Sequence, residues 1–225
     1  DIDWIFTAVK PNNLMDLVPA ICEIIIERQR LGIQRPLNII FVENLSYDEE
    51  EIESLRTEIK SELGPAYDEY VDEYIGFVGA LTHIRVPPIG LRQMELTIEG
   101  GYFPLIIDGS KLKGDIPFRG FEKTDDIRLE RKKKFFILNL GISAAVYVGR
   151  FLGYQGLYEA ISDSRVYNLT RRAMYEAAYA LSSKHPEISM TELEEFIERC
   201  LQRFEIKELS DRFERVSRNV LRKLG

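Results

Sequence analysis

The stretches Ile2–Val9 (IDWIFTAV) and Leu37–Val42 (LNIIFV) decide the fold class of this chain of 225 residues. Both are short, apolar and rich in residues that favour strands. Between them, Pro11 and Gly32 bound a segment whose apolar residues recur at helical spacing. A strand, a helix and a second strand make a βαβ unit. The sequence therefore predicts two neighbouring parallel strands joined by a right-handed crossover.

The following segments continue this mixed pattern as far as Pro87 and Pro88. A helix is predicted over Asp48–Leu63, with Ser46 as its cap and a break at Gly64–Pro65. Strands are predicted over Gly76–Val86, Gln93–Glu99 and Tyr102–Ile107, the last one ending in a turn at Asp108–Gly109.

From Thr124 onward the periodicity becomes helical. Thr191 and Glu194 fit a capping box at the start of one of the helices. The predicted helices are Asp125–Arg150, Glu159–Ser162, Val166–Ser183, Thr191–Phe204 and Leu209–Leu221. The predicted fold class is therefore α/β plus all-α, with one domain over residues 1–88 and a mostly α-helical domain over residues 89–225.

The composition excludes several functional classes. Thirty basic residues against 37 acidic ones give a formal charge of −7, which disfavours a nucleic-acid partner. Two cysteines and two histidines do not supply a structural zinc site, so we expect no metal and a reduced, cytoplasmic location. No uninterrupted apolar run reaches about 18 residues, so we expect no membrane segment. Because the chain begins with Asp1 and not with Met, we expect it to be a piece of a longer protein.

Glycines give no nucleotide-binding fingerprint. Neither G-x-G-x-x-G nor G-x-x-x-x-G-K-[ST] occurs in the sequence. Gly149, Gly153 and Gly156 cluster in a helix-to-turn region, where they favour close helix packing or the end of a helix over phosphate binding.

The stretch that begins with Lys134 (KFFILNLGI) and continues through Tyr147–Gly149 and Gly153–Tyr154 resembles the signature of the polyol-specific long-chain dehydrogenases. That signature reads K-x4-N-x2-H, followed by Y-L-G and G-Y. Five other segments agree with the family in order: Thr7–Asn12, Glu43–Asn44, Val86–Pro88, Asp108 to Gly114 and Arg215–Leu224. The last segment is closest to the mannitol-1-phosphate 5-dehydrogenase branch.

The resemblance implies the later part of a Rossmann-like parallel sheet, followed by a helical substrate domain. It also implies hydride transfer between a sugar alcohol, such as a hexitol phosphate, and a keto sugar, with NAD or NADP as cofactor. In the family a lysine takes the alcohol proton and two asparagines hold the substrate oxygen; these positions are Lys134, Asn44 and Asn139 here. The resemblance places Thr7, Val9 and Asn44 at cofactor-binding positions. It places four residues at substrate-binding positions: His83, Arg215, Arg218 and Lys223. Of these, Arg218 would bind a phosphate.

The chemistry fits these residue types. An alcohol donates hydride readily only as its O–H proton leaves, and a lysine accepts that proton near neutral pH only if its pKa is lowered. Two amide donors aimed at the developing alkoxide stabilise it. At about 100° per residue, Lys134, Asn139 and residue 142 fall within an arc of roughly 140° on one helix. The neighbouring bases Arg131, Lys132 and Lys133 are candidates for lowering the pKa of Lys134.

Two positions depart from the family pattern. The family histidine is Ile142 here, and His83–Ile84 replaces an aspartate–arginine pair. The family's amino-terminal glycine-rich segment has no counterpart in this chain. Two alternatives therefore stay open, a hexuronate reductase of the same family and a catalytically inactive relative that binds sugars or partners.

Each candidate also has a structural interpretation. Lys134 and Asn139 could be a surface lysine and a helix-interior amide, Asn44 could cap a turn, and His83 could be a hydrogen-bonded core residue. The basic residues near the chain end could lie on a solvated helix face, and Ile142 is best explained by core packing. The sequence does not determine the oligomeric state.

Overall fold

The computed structural model describes residues 2–45, 49–83, 104–207 and residue 213. The chain divides into two compact units. One holds the described residues up to His83 and from position 104 to Arg131; the other holds those from Lys132 onward. Ser46, the predicted strand Gln93–Glu99, the predicted domain boundary at residue 88 and all of the predicted helix Leu209–Leu221 except Phe213 lie outside the described residues.

A five-stranded sheet in the order β1-β2-β3-β4-β5 forms the first unit. The strands are β1 Trp4–Thr7, β2 Leu37–Phe41, β3 Ile75–Leu81, β4 Leu105–Asp108 and β5 Phe121–Thr124. β1, β2 and β3 run parallel to one another, which confirms the βαβ unit predicted from the sequence. β4 is antiparallel to β3 and parallel to β5. β5 has no counterpart among the predicted strands, since its sequence FEKT lacks an apolar run.

Helices cover one face of the parallel strands. A 3₁₀ segment, Pro11–Leu17, leads into α1 Val18–Arg30; α2 Glu50–Leu63 and α3 Asp68–Tyr74 follow. Leu37, Ile39 and Phe41 face these helices in one apolar cluster, whereas Ile40 belongs to a second cluster that also holds Val78 and Ile107. Both faces of β2 are therefore buried, as a continuous apolar run in a parallel sheet predicts.

The start of α2 differs from the prediction. The helix begins at Glu50, and its first flanking residue is Glu49, not Ser46. Glu49 adopts a left-handed backbone with φ of 57°, which a non-glycine residue adopts at a cost of about 1–3 kcal/mol. The predicted break at Gly64–Pro65 is confirmed, because Gly64 ends the helix with φ of 78°.

One long helix runs from Ile127 to Phe151 and confirms the predicted Asp125–Arg150 helix within two residues at each end. It comprises α4 Ile127–Lys133, a π-helical segment Lys134–Asn139 and α5 Leu140–Phe151. By length and composition alone this helix could cross a membrane, but a helix buried inside a protein meets the same criterion. Gly141, Ala145 and Val146 are buried, and α5 contacts a later helix, α7 Ser164–Lys184.

The remaining described helices are α6 Leu157–Ile161 and α8 Met190–Phe204. α8 begins one residue earlier than predicted, and the capping box at Thr191 and Glu194 is wrong. Ser189 is the cap, and its side chain accepts a hydrogen bond from the Glu192 backbone N–H at 3.1 Å. Ser189 and Glu192 have the S-x-x-E spacing of a capping box, and Thr191 and Glu194 have the equivalent T-x-x-E spacing. The motif alone therefore did not show which of the two residues is the cap.

Candidate active site

Three candidate residues follow the carboxyl ends of neighbouring parallel strands. Thr7 ends β1, Asn44 comes three residues after β2, and His83 comes two residues after β3. Parallel strands bring their carboxyl ends to the same edge of a sheet, and in open α/β sheets that edge binds ligands. The topology thus places these three positions along one edge of the first unit.

Glu43 organises this edge. Its buried carboxylate accepts a hydrogen bond from the Thr7 hydroxyl at 2.9 Å and another from the Val9 backbone N–H at 3.0 Å. One carboxylate therefore joins the loop after β1 to the end of β2. Thr7 and Val9 were predicted to bind a cofactor, but the Thr7 hydroxyl and the Val9 N–H donate hydrogen bonds to Glu43 instead. These two groups therefore stabilise the loop after β1.

Glu43 was quoted in the sequence only as the neighbour of Asn44, and its own role was missed. The available signal was an acidic residue directly after a buried apolar strand, which needs a donor partner once the chain folds.

Asn44 is exposed, whereas its neighbours Glu43 and Leu45 are buried. The Leu45 backbone N–H donates to the Glu43 carbonyl at 3.0 Å, which tightens the chain at this point. The two buried neighbours anchor the backbone on either side of Asn44. Asn44 is therefore an exposed residue on a backbone that its buried neighbours hold.

His83 is only 5% exposed at the end of β3. This burial is what the structural interpretation of His83 expects. Its substrate-binding role stays a prediction, as do the roles of the other candidate residues.

Lys134 and Asn139 are the first and last residues of the π-helical segment. In a π-helix the hydrogen bonds join residues i and i+5, so these two residues stand one turn apart, closer to a common line than α-helical geometry allows. Both are half-buried, while the intervening Phe135 and Phe136 are exposed and Ile137 and Leu138 are buried. Single π-helical turns inside α-helices occur frequently at functional sites.

Ile142, at the position of the family histidine, is buried in the core of the second unit with 9% exposure. This is the packing role that the sequence favoured. A hydrocarbon side chain at this position neither hydrogen-bonds a substrate oxygen nor passes a proton.

The three bases before Lys134 each have a partner. Arg131 donates to a Glu49 carboxylate oxygen at 2.9 Å, and the Lys133 ammonium donates to Glu192 at 2.7 Å. Lys132 lies 3.3 Å from Nε2 of His185. Carboxylates next to Arg131 and Lys133 offset the fields of these two cations, which makes them weak sources of the lowered pKa that a lysine base needs.

Burial raises the pKa of Glu49 above its ordinary value, although the Arg131 guanidinium acts in the opposite direction. Asp108 raises this pKa further, and Arg128 lowers it. Glu49, Asp108 and Arg128 also line a cavity of about 190 Å³ in the first unit, together with Ser110 and Lys111.

The remaining substrate candidates, Arg215, Arg218 and Lys223, lie outside the described residues. Within the part of the chain that the structure describes, no group of three or more His, Cys, Asp or Glu side chains is arranged to hold a metal ion.

The edge after β1 and β2 is the carboxyl edge of two parallel strands. Asn44 is exposed there, and the backbone of residues 8–10 follows the loop that Glu43 fixes. Dinucleotide cofactors bind at the corresponding edge in doubly wound α/β folds, and contact of these groups with a cofactor stays a prediction.

The architecture is that of an α/β unit joined in sequence to a helical unit. Residues 128–225 match the model of the mannitol dehydrogenase C-terminal domain family. Among solved structures, the chain is similar to a D-sorbitol dehydrogenase in substrate-free form, with a TM-score of 0.71 and 15% identity over 99% of this chain and 54% of that one.

It is also similar to Pseudomonas fluorescens mannitol 2-dehydrogenase in a ternary complex with NAD and D-mannitol, with a TM-score of 0.62 and 16% identity over 96% of this chain and 51% of that one. At these identities the likeness shows the fold, and it confirms the predicted α/β plus helical class. The chain spans about half the length of both solved structures.

Proposed function

We propose that the protein is an NAD(P)-dependent oxidoreductase that interconverts a sugar alcohol and a keto sugar. The observation that carries this proposal is the placement of Lys134 and Asn139 at the two ends of one π-helical turn, inside the segment that matches the mannitol dehydrogenase C-terminal domain. The fold shared with sorbitol and mannitol 2-dehydrogenases supports the same activity.

In this proposal Lys134 acts as the general base. Its neutral amine takes the proton from the substrate hydroxyl, while the amide groups of Asn44 and Asn139 donate hydrogen bonds to the developing alkoxide. A bound nicotinamide cofactor supplies the acceptor for the hydride that leaves the same carbon. General-base catalysis of this kind contributes about 10²- to 10⁴-fold in rate, and each alkoxide donor about 10²- to 10³-fold.

The proposed substrate is a hexitol phosphate such as mannitol 1-phosphate. This choice depends on Arg215, Arg218 and Lys223, since a guanidinium binds phosphate through paired hydrogen bonds. A hexuronate reductase is the alternative within the same family, because a carboxylate would meet the same cations.

The test is NADH formation by the purified full-length protein, measured with mannitol 1-phosphate, mannitol and sorbitol; fructuronate reduction is followed by NADH loss. We expect the highest kcat/KM with mannitol 1-phosphate and at least a tenfold drop with mannitol. Equal rates with both polyols would remove the phosphate preference but leave the oxidoreductase intact. No turnover with any substrate, with either NAD or NADP, would contradict the proposed reaction.

Ile142 favours a second candidate function. The buried isoleucine removes the polar group that the family signature carries at this position, so an inactive, sugar-binding relative is the second proposal. Titration calorimetry of the full-length protein with mannitol 1-phosphate separates the two. Binding without turnover supports the inactive relative, and binding with turnover contradicts it.

A further inference from the structure

Arg131 connects three elements of the first unit. One of its guanidinium nitrogens donates to the Glu49 carboxylate at 2.9 Å and to the Ala80 carbonyl at 3.1 Å. Glu49 precedes α2, Ala80 lies in β3 and Arg131 lies in α4. The pair is buried, with side-chain exposures of 4% for Arg131 and 11% for Glu49.

The backbone around this pair is shaped to hold it. Glu49, whose carboxylate accepts the hydrogen bond from Arg131, has a left-handed backbone conformation. On the sheet, Gly79 leaves the space that this carboxylate occupies, because a Cβ atom at position 79 would overlap Glu49 Oε1. A strained residue and a glycine thus serve the same buried contact, which goes beyond what a surface ion pair requires.

The placement of Arg131 relates the contact to the proposed chemistry. Arg131 lies three residues before Lys134 on one continuous helix, and Glu49 follows Asn44 by five residues. A contact that fixes Arg131 sets the rotation of the helix about its axis at that residue. Because Lys134 is three residues further along the same helix, the contact also influences its position.

We propose that the Glu49–Arg131 pair positions the helix that presents Lys134, so that Arg131 is a positioning residue for the general base. This inference rests on the proposed function for its kinetic test. The proposed role of Arg131 is to set the position of Lys134 and not to change its charge, because the Glu49 carboxylate offsets the charge of Arg131.

The experiment compares three variants of the full-length protein: Arg131→Met, Arg131→Lys and the double variant Glu49→Gln/Arg131→Met. The double variant removes the buried charge that the single Met variant leaves behind, so we expect it to be the more stable of the two. We expect the Met-containing variants to lose about 100-fold in kcat with KM unchanged within about threefold, because an error of about 1 Å in a catalytic geometry costs that much. Arg131→Lys, which keeps the donor, should recover to within about tenfold of wild type.

Arg56→Met is the matched control, because Arg56 forms an exposed pair with Asp72 in the same unit at 2.8 Å. This variant should keep wild-type kcat and KM. Folded Met variants with kcat within twofold of wild type would overturn the inference, as would an equal loss in Arg131→Lys and Arg131→Met.

A second readout separates this inference from the proposed function. Competitive acetylation with acetic anhydride, followed by mass spectrometry, measures the reactivity of Lys134 without any turnover. We expect at least a threefold change in Lys134 labelling in the double variant and none in Arg56→Met. If the wild-type protein shows no turnover, the proposed function fails while this labelling result still decides the role of Arg131; unchanged labelling overturns it.

Discussion

Four consecutive basic residues, Arg131 to Lys134, have four different environments. Arg131 is buried against Glu49, Lys132 lies beside His185, and Lys133 is buried with its ammonium on Glu192. Lys134 is half-buried at the start of the π-helical segment. Charge alone does not distinguish these residues in the sequence; the partner that each one meets does.

Lys134→Ala tests the base directly. In the full-length protein we expect turnover to fall by about 10²- to 10⁴-fold, because no other group would take the substrate proton. NADH binding should change little, since the proposed role of Lys134 concerns the alcohol. Steady-state kinetics and a fluorescence titration with NADH measure the two effects.

Lys184→Ala is the control for this substitution, because Lys184 is exposed in the last turn of α7. Near-normal turnover in Lys134→Ala, with Lys184→Ala also active, would remove Lys134 as the base.

At the scale of single elements, the helix from Ile127 to Phe151 packs through its small residues. A Cβ atom at Gly149 would lie 2.5 Å from the Ala160 Cβ and 2.9 Å from the Phe213 ring. At Gly141 the nearest atom is the flexible Met174 Sδ, also at 2.5 Å. Substitution by alanine therefore meets rigid neighbours at Gly149 and a flexible side chain at Gly141. Close packing at Gly149 confirms one of the two roles that the sequence favoured for this glycine cluster.

Gly149→Ala should lower the free energy of unfolding by about 1–3 kcal/mol, the usual cost of overpacking. Gly141→Ala should cost less, because the Met174 side chain can move and alanine favours the helix by about 1 kcal/mol over glycine. Urea denaturation of the two variants compares them. An equal or larger loss in Gly141→Ala would contradict this account of the packing.

The cap of α8 offers a second test at this scale. Ser189→Ala removes the hydroxyl that accepts from the Glu192 N–H, and we expect a loss of about 1 kcal/mol in the free energy of unfolding. Thr191→Ala, two residues further on, removes no cap and should cost clearly less. Thermal unfolding of both variants measures the difference, and a greater loss in Thr191→Ala would restore the cap predicted from the sequence.

At the scale of the whole molecule, carboxylates that hydrogen-bond to neighbouring donors set the response to acid. The Arg165 guanidinium holds the pKa of Asp163 well below its usual range, with help from the Arg165 backbone N–H and the Tyr154 hydroxyl. Four other carboxyl groups also have a lowered pKa: Glu27, Asp72, Asp115 and Glu187. Glu49 has a raised pKa, and its contribution to stability has the opposite dependence on pH.

A carboxyl group with a lower pKa in the folded state stabilises that state above its ordinary pKa of about 4, and this contribution is lost as the pH falls toward the lowered value. We therefore expect the protein to lose stability steeply below about pH 4. Asp163→Asn, which keeps an acceptor at the cap of α7, should lower the urea midpoint at pH 7, and the gap to wild type should narrow as the pH falls below about 4. Asp16→Asn, an exposed control, should track wild type; a constant gap for Asp163→Asn across this range would count against the ion pair as the cause.

Much of the architecture follows from local patterns. The apolar runs of β1 and β2, with a periodic helix between them, fix the parallel pair, and Gly64 ends α2 where the sequence places the break. The long helix is also predictable, because its periodicity persists over seven turns or about 25 residues. Of the candidate site, the spacing of Lys134 and Asn139 and the position of Asn44 after a buried strand are readable from the residues alone.

The strand–helix–strand unit, the change to helices after Thr124 and the identity of the candidate residues are all predictable from the amino-acid sequence, because periodicity and composition act over short distances along the chain. Three features emerge only in the folded chain: Glu43 accepts hydrogen bonds from Thr7 and Val9, β4 runs antiparallel to β3, and Arg131 is buried against Glu49, 82 residues away. Such contacts form when polar groups from distant segments are buried together and need hydrogen-bond partners. Local sequence patterns do not show which distant segments come into contact.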